Sequence, residues 1–232
     1  MKHLLIYSFL LCWLSGNTQK MDHSSWTAIL QSYVTDKGDV NYKSLQNNRT
    51  VLNGYLNALA SNVPDKNWST SEKKAYWINA YNAFTVQLIL DNYPIQSIKD
   101  LKDPWGQKFI TLNDETLTLN TIEHKILRPM GDSRIHFAIV CASESCPKLL
   151  NCAFEAETID SQLDQAAHEF INDPTKNSIT PSKITISKIF KWFKSDFPKG
   201  VDFINYLNTY STVQISPEAK INHQNYNWAL NE

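Results

Sequence analysis

The run Ala75-Tyr76-Trp77-Ile78-Asn79-Ala80-Tyr81-Asn82-Ala83-Phe84-Thr85-Val86-Gln87-Leu88-Ile89-Leu90 most constrains the fold of this chain. Its apolar residues fall nearly all round a helical wheel, not on one stripe. A helix here must therefore be packed on several sides, which makes it central. Ser69 and Glu72 have capping-box spacing ahead of it, and Asn92-Tyr93-Pro94 stops it. Asn79 and Asn82 share a face of that helix. A buried amide left unpaired costs about 1–3 kcal/mol, so both must be hydrogen-bonded. Either they pin neighbouring backbone, or they border a pocket and bind substrate.

Other elements surround this helix. Asp22–Lys37, Leu45–Ala60, Thr158–Asn172 and Val201–Tyr210 carry one apolar stripe each. Ile98–Leu101 fits a single helical turn. Lys108–Leu112 and Glu115–Leu119 flank Asn113-Asp114, a suitable two-residue turn, and predict a β-hairpin. Asn120 is placed to cap a helix running to about Arg128. Arg134–Cys141 reads as a buried strand. Pro147–Leu150 has proline at the first position of a helix. Ser178–Thr180 and Lys183–Ile186 read as short strands, Ile189–Phe193 as an aromatic turn, and Val213–Ile215 and Asn225–Trp228 as extended. The expected fold is α+β, a mainly helical single domain with a small antiparallel sheet.

With 232 residues, 42% of them hydrophobic, the chain can bury a substantial core. A net charge of −1 and the absence of a basic stripe argue against a nucleic-acid partner. Residues 1–19 have a signal-peptide pattern: Lys2, the apolar run Leu4–Leu14, and small residues at Ser15, Gly16 and Thr18. The run falls short of the ~20 apolar residues of a membrane span. The expectation is an exported domain over 20–232, periplasmic, in the outer envelope or secreted, with no transmembrane span in the mature chain. Cys141, Cys146 and Cys152 then remain, an odd number. One disulfide and one free thiol suit an oxidising compartment.

Reactive side chains concentrate between Glu123 and Cys146. Glu123 stands where a carboxylate reaches back to a helix cap, and His124 shares a face with Arg128. On a strand, Arg134 and His136 face one way and Cys141 the other. Arg134 is a candidate for holding a substrate carboxylate through its bidentate fork. At a helix N-terminus the thiolate of Cys146 would be favoured, so Cys146 is the first candidate nucleophile and Cys141 the second. His124 or His136 would be the base. Three readings stay open: Cys/His nucleophilic catalysis on a small-molecule or peptide substrate, a zinc site of His124, His136, Cys141 and Cys146, and a Cys141–Cys146 disulfide in a non-catalytic envelope binding domain. The spacing lacks a C-x-x-C pair, and no cofactor motif is present.

Ala75–Ala83, Ile122-Glu123-His124, Arg134–Ala138, Cys141, Cys146-Pro147 and the ending Tyr226–Asn231 together resemble the domain-of-unknown-function 547 family. The resemblance implies bacterial envelope or secreted proteins, with plant relatives. It also implies a Glu/His/Arg/Cys constellation, which falls here on Glu123, His124, Arg134 and Cys141 or Cys146. Asn227 stands where similar sequences tend to carry aspartate. The leading expectation is a thiol-dependent hydrolase or acyl-transferase of papain or transglutaminase type acting on an amide or related acyl bond. In it Glu123 orients the imidazole.

Overall fold

The computed structural model describes residues 21–232. The expected signal segment lies outside the described residues. Among them, no helix is long and apolar enough to cross a membrane. The fold is α+β and mainly helical. Its N-terminal part holds α1 (Ser24–Tyr33), α2 (Tyr42–Asn47), α3 (Arg49–Ser61) and the long α4 (Thr70–Asn92). A hairpin of β1 (Ile110–Leu112) and β2 (Glu115–Leu117) follows. Next comes α5 (Leu119–Thr121), which runs on as a wide π-turn over Ile122–Leu127. The C-terminal part holds α6 (Ile159–Asn172), β3 (Ser178–Ile179), β4 (Lys183–Ile186), α7 (Ile189–Trp192), α8 (Val201–Tyr210) and β5 (Lys220–His223).

Helix α4 is the axis of the core. Tyr76, Ile78, Ala80, Ala83 and Ile89 are fully buried, as its all-round apolar wheel requires. It packs against α2, α3, the π-turn and α6. Its start is the expected capping box: Ser69 Oγ accepts the Glu72 N–H, and Glu72 accepts the Ser69 N–H at 2.7 Å. The hairpin is also as expected. Asn113 and Asp114 both have positive φ (47° and 63°), the conformation of a type I′ turn. A second apolar cluster gathers α6, β4, α7 and α8 around Phe137, Phe170, Phe190 and Phe197.

Several expected elements differ. Arg134–Cys141 forms no strand: Ser133–Phe137 is a short 3-10 helix, followed by irregular backbone. Asp132 starts it by accepting the Arg134 N–H at 3.1 Å, and the Ala138 N–H closes on the Ile135 carbonyl at 2.9 Å. The segment passes between the two apolar clusters and is buried on every side from Ile135 to Val140. A short all-apolar run carries no period that separates strand from turn. The cap of the next helix is Thr118, not Asn120; Thr118 Oγ1 accepts the Thr121 N–H at 2.9 Å. Pro147–Leu150 forms no helix. There the backbone lies against the turn at Gly38, whose φ of +89° and missing Cβ allow contact; a Cβ would stand 2.5 Å from Lys148 Cβ.

The expected 45–60 helix is two helices. Asn41 Oδ1 caps α2 through the Ser44 N–H at 2.9 Å, and the chain breaks at Asn48. The second sheet has the order β3-β4-β5, with β4 antiparallel to β3 and parallel to β5. Strand β5 is exposed along its length, so no hydrophobic alternation announces it.

Candidate active site

A cavity of about 240 Å³ opens where the π-turn, the 136–147 segment, α7 and the C-terminal tail meet. Glu123, His124, His136, Cys141 and Cys146 all line it. An aromatic wall of Tyr81, Trp105, Trp192, Phe193, Tyr226 and Trp228 closes the rest. The helix-bound residues and the thiol loop thus share one concave surface, as sites that take small ligands do.

The thiol loop turns at Ala142, whose φ of +55° places a non-glycine residue in the left-handed region. The Cys146 N–H then bonds the Ser143 carbonyl at 2.9 Å, and Ser143 bridges to Leu230 of the tail. Tail and loop are further tied by Glu144 N–H to the Ala229 carbonyl at 2.9 Å and by Asn227 N–H to Ser145 Oγ at 2.8 Å. Asn227 points its own amide oxygen at the Ala229 N–H, so it serves the tail's turn and does not line the cavity.

Cys141, Cys146 and Cys152 are free thiols, so the Cys141–Cys146 disulfide is not formed. Cys146 Sγ accepts the Cys141 backbone N–H at 2.9 Å. Cys141 Sγ lies 3.2 Å from Ser143 Oγ and 3.2 Å from the Tyr226 hydroxyl. Burial opposes ionisation of both. At Cys146 the donors win: the Cys141 thiol, the Tyr226 hydroxyl and the Cys141 N–H hold its pKa below the ordinary thiol value. Burial and the neighbouring Cys146 push Cys141 well up. The thiolate preference of Cys146 therefore comes from convergent donors, not from a helix N-terminus.

The two histidines join one ionic network. Asp196 accepts Arg128 Nε at 2.6 Å and Nη2 at 2.7 Å, in a bidentate pair. Its Oδ2 also lies 2.8 Å from His136 Nε2. Hydrogen bonds from Arg128 above all hold the Asp196 carboxyl well below the usual carboxylate range, so it is ionised and His136 Nε2 carries the proton. The lone pair of His136 is then on Nδ1. Burial pushes the His136 pKa down to about 4, against the pull of Asp196. Phe193 stacks on its ring at 4.1 Å.

Arg128 Nη1 meets His124 Nδ1 at 2.9 Å. A guanidinium only donates, so His124 Nδ1 is the acceptor and Nε2 bears the proton. Burial, then Arg128, lowers the His124 pKa. With Nδ1 engaged by Arg128, the nitrogen of His124 left to act as a donor is Nε2.

Glu123 is 6% exposed, and its Oε2 accepts the Tyr81 hydroxyl at 3.2 Å. Oε1 is buried without a partner. Burial raises its pKa to about 7, against the Tyr81 bond and the Arg128 charge. No hydrogen bond joins Glu123 to either imidazole among the described residues; Asp196 holds His136 instead.

The remaining candidates lie apart from the cavity. Arg134 is saturated by Asp132 (2.7 and 2.9 Å), Asp160 (2.8 Å) and Asp164 (2.9 Å), which leaves no fork for a substrate carboxylate. Asn79 spends its amide on both backbone groups of Phe154, at 2.8 and 3.0 Å. Asn82 holds the Ala138 carbonyl at 2.9 Å and the Val140 N–H at 3.0 Å. Both asparagines pin backbone, and Asn82 does so directly ahead of the thiol loop. Among the described residues no group of three or more His, Cys, Asp or Glu side chains is set to hold a metal ion, so the proposed zinc ligands form no ligand set.

Nothing in the sequence marks Asp196, Ser143 or the tail's Tyr226 as site residues. Asp196 sits in an aromatic stretch with nothing to mark it. The sequence marks Tyr226 and Trp228 as part of an extended segment and of the family-like ending, not as site residues.

A family described as "Protein of unknown function, DUF547" matches residues 66–171. No curated protein and no solved structure matches the chain. The matched stretch spans α4 to α6 and holds Glu123, His124, His136, Cys141 and Cys146, while Asp196 and Tyr226 lie beyond it. Over residues 66–171 this chain is similar to the DUF547 family.

Proposed function

We propose that the protein is an exported thiol-dependent hydrolase or acyl-transferase acting on an amide or related acyl bond. The observation that carries this reading is the shared cavity: the donor-stabilised thiol of Cys146 and the Asp196-held imidazole of His136 open on the same space. Cys146 Sγ attacks the acyl carbon, and its proton passes to His136 Nδ1. Asp196 keeps the other ring nitrogen protonated and steadies the imidazolium that forms. The His124 Nε2–H is the donor offered to the oxyanion, a role suited to an imidazole that Arg128 keeps neutral. His136 then returns the proton to the leaving group. Water, or an acceptor amine, releases the acyl group from sulfur. The apolar aromatic wall favours an uncharged acyl group.

The test uses p-nitrophenyl acetate as an acyl donor, with whole-protein mass spectrometry and cleavage mapping. The expected result is a burst of nitrophenolate and one acetyl group on Cys146, both lost in Cys146→Ala. His136→Gln should slow acylation by ~10²-fold or more, the usual worth of a positioned base. No acylation, or equal acylation of Cys141, Cys146 and Cys152, would end the proposal and leave a non-catalytic binding domain.

A further inference from the structure

A second cavity, of about 520 Å³, is lined by the segment that joins α7 to α8, by Phe190 and Lys191 of α7 and by Ile221 and His223 of β5. Its floor is apolar. Phe190, Phe197 and Phe203 pack together with ring centroids 5.1–6.3 Å apart, and Ile221 of β5, 40% exposed, extends the floor. Lys191, Lys194, Lys199 and His223 stand among its lining residues, and no carboxylate does. None of these three lysines is ion-paired among the described residues. Burial, then the charges of Lys191 and Lys188, lowers the His223 pKa, an independent sign of a positive field at this mouth.

An apolar hollow ringed by one sign of charge is unexpected on a chain whose net charge is −1. Solvated lysines with no role need no hydrophobic floor, and an apolar contact patch with no role needs no lysine ring. The volume lies in the usual range of small-molecule sites, roughly 300–1,000 Å³. Lysines act as mobile point charges and do not demand a planar, bidentate partner.

We propose that this cavity binds a single-chain anionic amphiphile of fatty-acid type. Its chain lies on Phe190, Phe197, Phe203 and Ile221, and its carboxylate sits among Lys191, Lys194 and Lys199. The site is separate from the thiol cavity and does not depend on its chemistry.

Calorimetric titration of the full chain with dodecanoate, below its micelle concentration and at low salt, tests this. One saturable site is expected. Affinity should fall at least tenfold for dodecanol, for the combined K191Q/K194Q/K199Q variant and for I221E, and should weaken as salt screens the lysines. Unchanged circular dichroism melting of the exposed-lysine variant separates loss of binding from loss of fold. The proposal is overturned by no saturable binding, by dodecanol binding as well as dodecanoate, by lysine variants that bind like the native chain, or by binding to anionic phosphatidylglycerol vesicles without binding of the monomer.

Discussion

Glu123 and Asn82 show how single side chains set this site. A carboxyl whose folded pKa is about 7, against an ordinary 4.5, binds its proton more tightly in the folded state. That group's contribution is therefore lost as pH rises from the unfolded value through the folded one, with a ceiling of about 3 kcal/mol. Glu123→Gln should melt close to the native protein at pH 4.5 and gain on it progressively up to pH 8. A difference in melting temperature that does not change with pH would contradict the neutral, desolvated carboxyl. Asn82→Ala should cost about 2–4 kcal/mol in urea unfolding, because it strands two buried backbone groups. Loosened backbone ahead of the thiol loop should also slow thiol labelling at Cys146; an N82A variant that unfolds and labels like the native chain would deny the asparagine its positioning role.

At the scale of elements, α4 and the hairpin were legible because local rules and burial agree there. An all-round apolar wheel, a capping box and an Asn-Asp turn each state their own geometry. Ser69→Ala should lower stability by about 1 kcal/mol, read from denaturant midpoints with an unchanged slope. An unaltered midpoint would mean that water replaces the cap. The 133–141 segment was not legible as a turn, since burial on both sides erases any period and the Asn82 clamp comes from a distant helix. The π-turn was equally hidden: its extra residue leaves no trace in residue type, yet it lets both Glu123 and His124 face the cavity. Wide turns of this kind recur at functional sites. The cluster of Glu123, His124, His136, Cys141 and Cys146 was visible as a concentration of reactive residues. The assignment of base and orienting acid was not, because Asp196 arrives through tertiary packing alone.

Across the whole molecule, neighbouring residues of α7 and the segment after it line two different cavities. Trp192 and Phe193 face the thiol cavity, while Phe190, Lys191 and Lys194 line the other. Titration also acts at this scale. Burial depresses His23 and His136 to about 4 from an ordinary 6.5. The unfolded chain thus takes up protons first, and stability from these groups is lost as pH falls from 6.5 toward 4. Glu123 opposes this with the reverse sign, but two imidazoles outweigh one carboxyl. At lower pH, Asp132 and Asp196, held well below the usual range by their arginine partners despite burial, lose their ion pairs. Melting temperature should therefore drop in two stages, one beginning near pH 6.5 and a steeper one below pH 4. A flat profile from pH 7 to 5 would contradict the burial of neutral histidines.

The central claim is that one thiol is singled out by its surroundings. Its most direct test is the rate of alkylation by iodoacetamide at each cysteine, followed by peptide mass spectrometry across pH. Cys146 should label fastest, with an inflection below the ~8.5 of a free thiol, and Cys141 should stay slow to well above it. Equal rates at the three cysteines, or Cys141 reacting ahead of Cys146, would contradict the account.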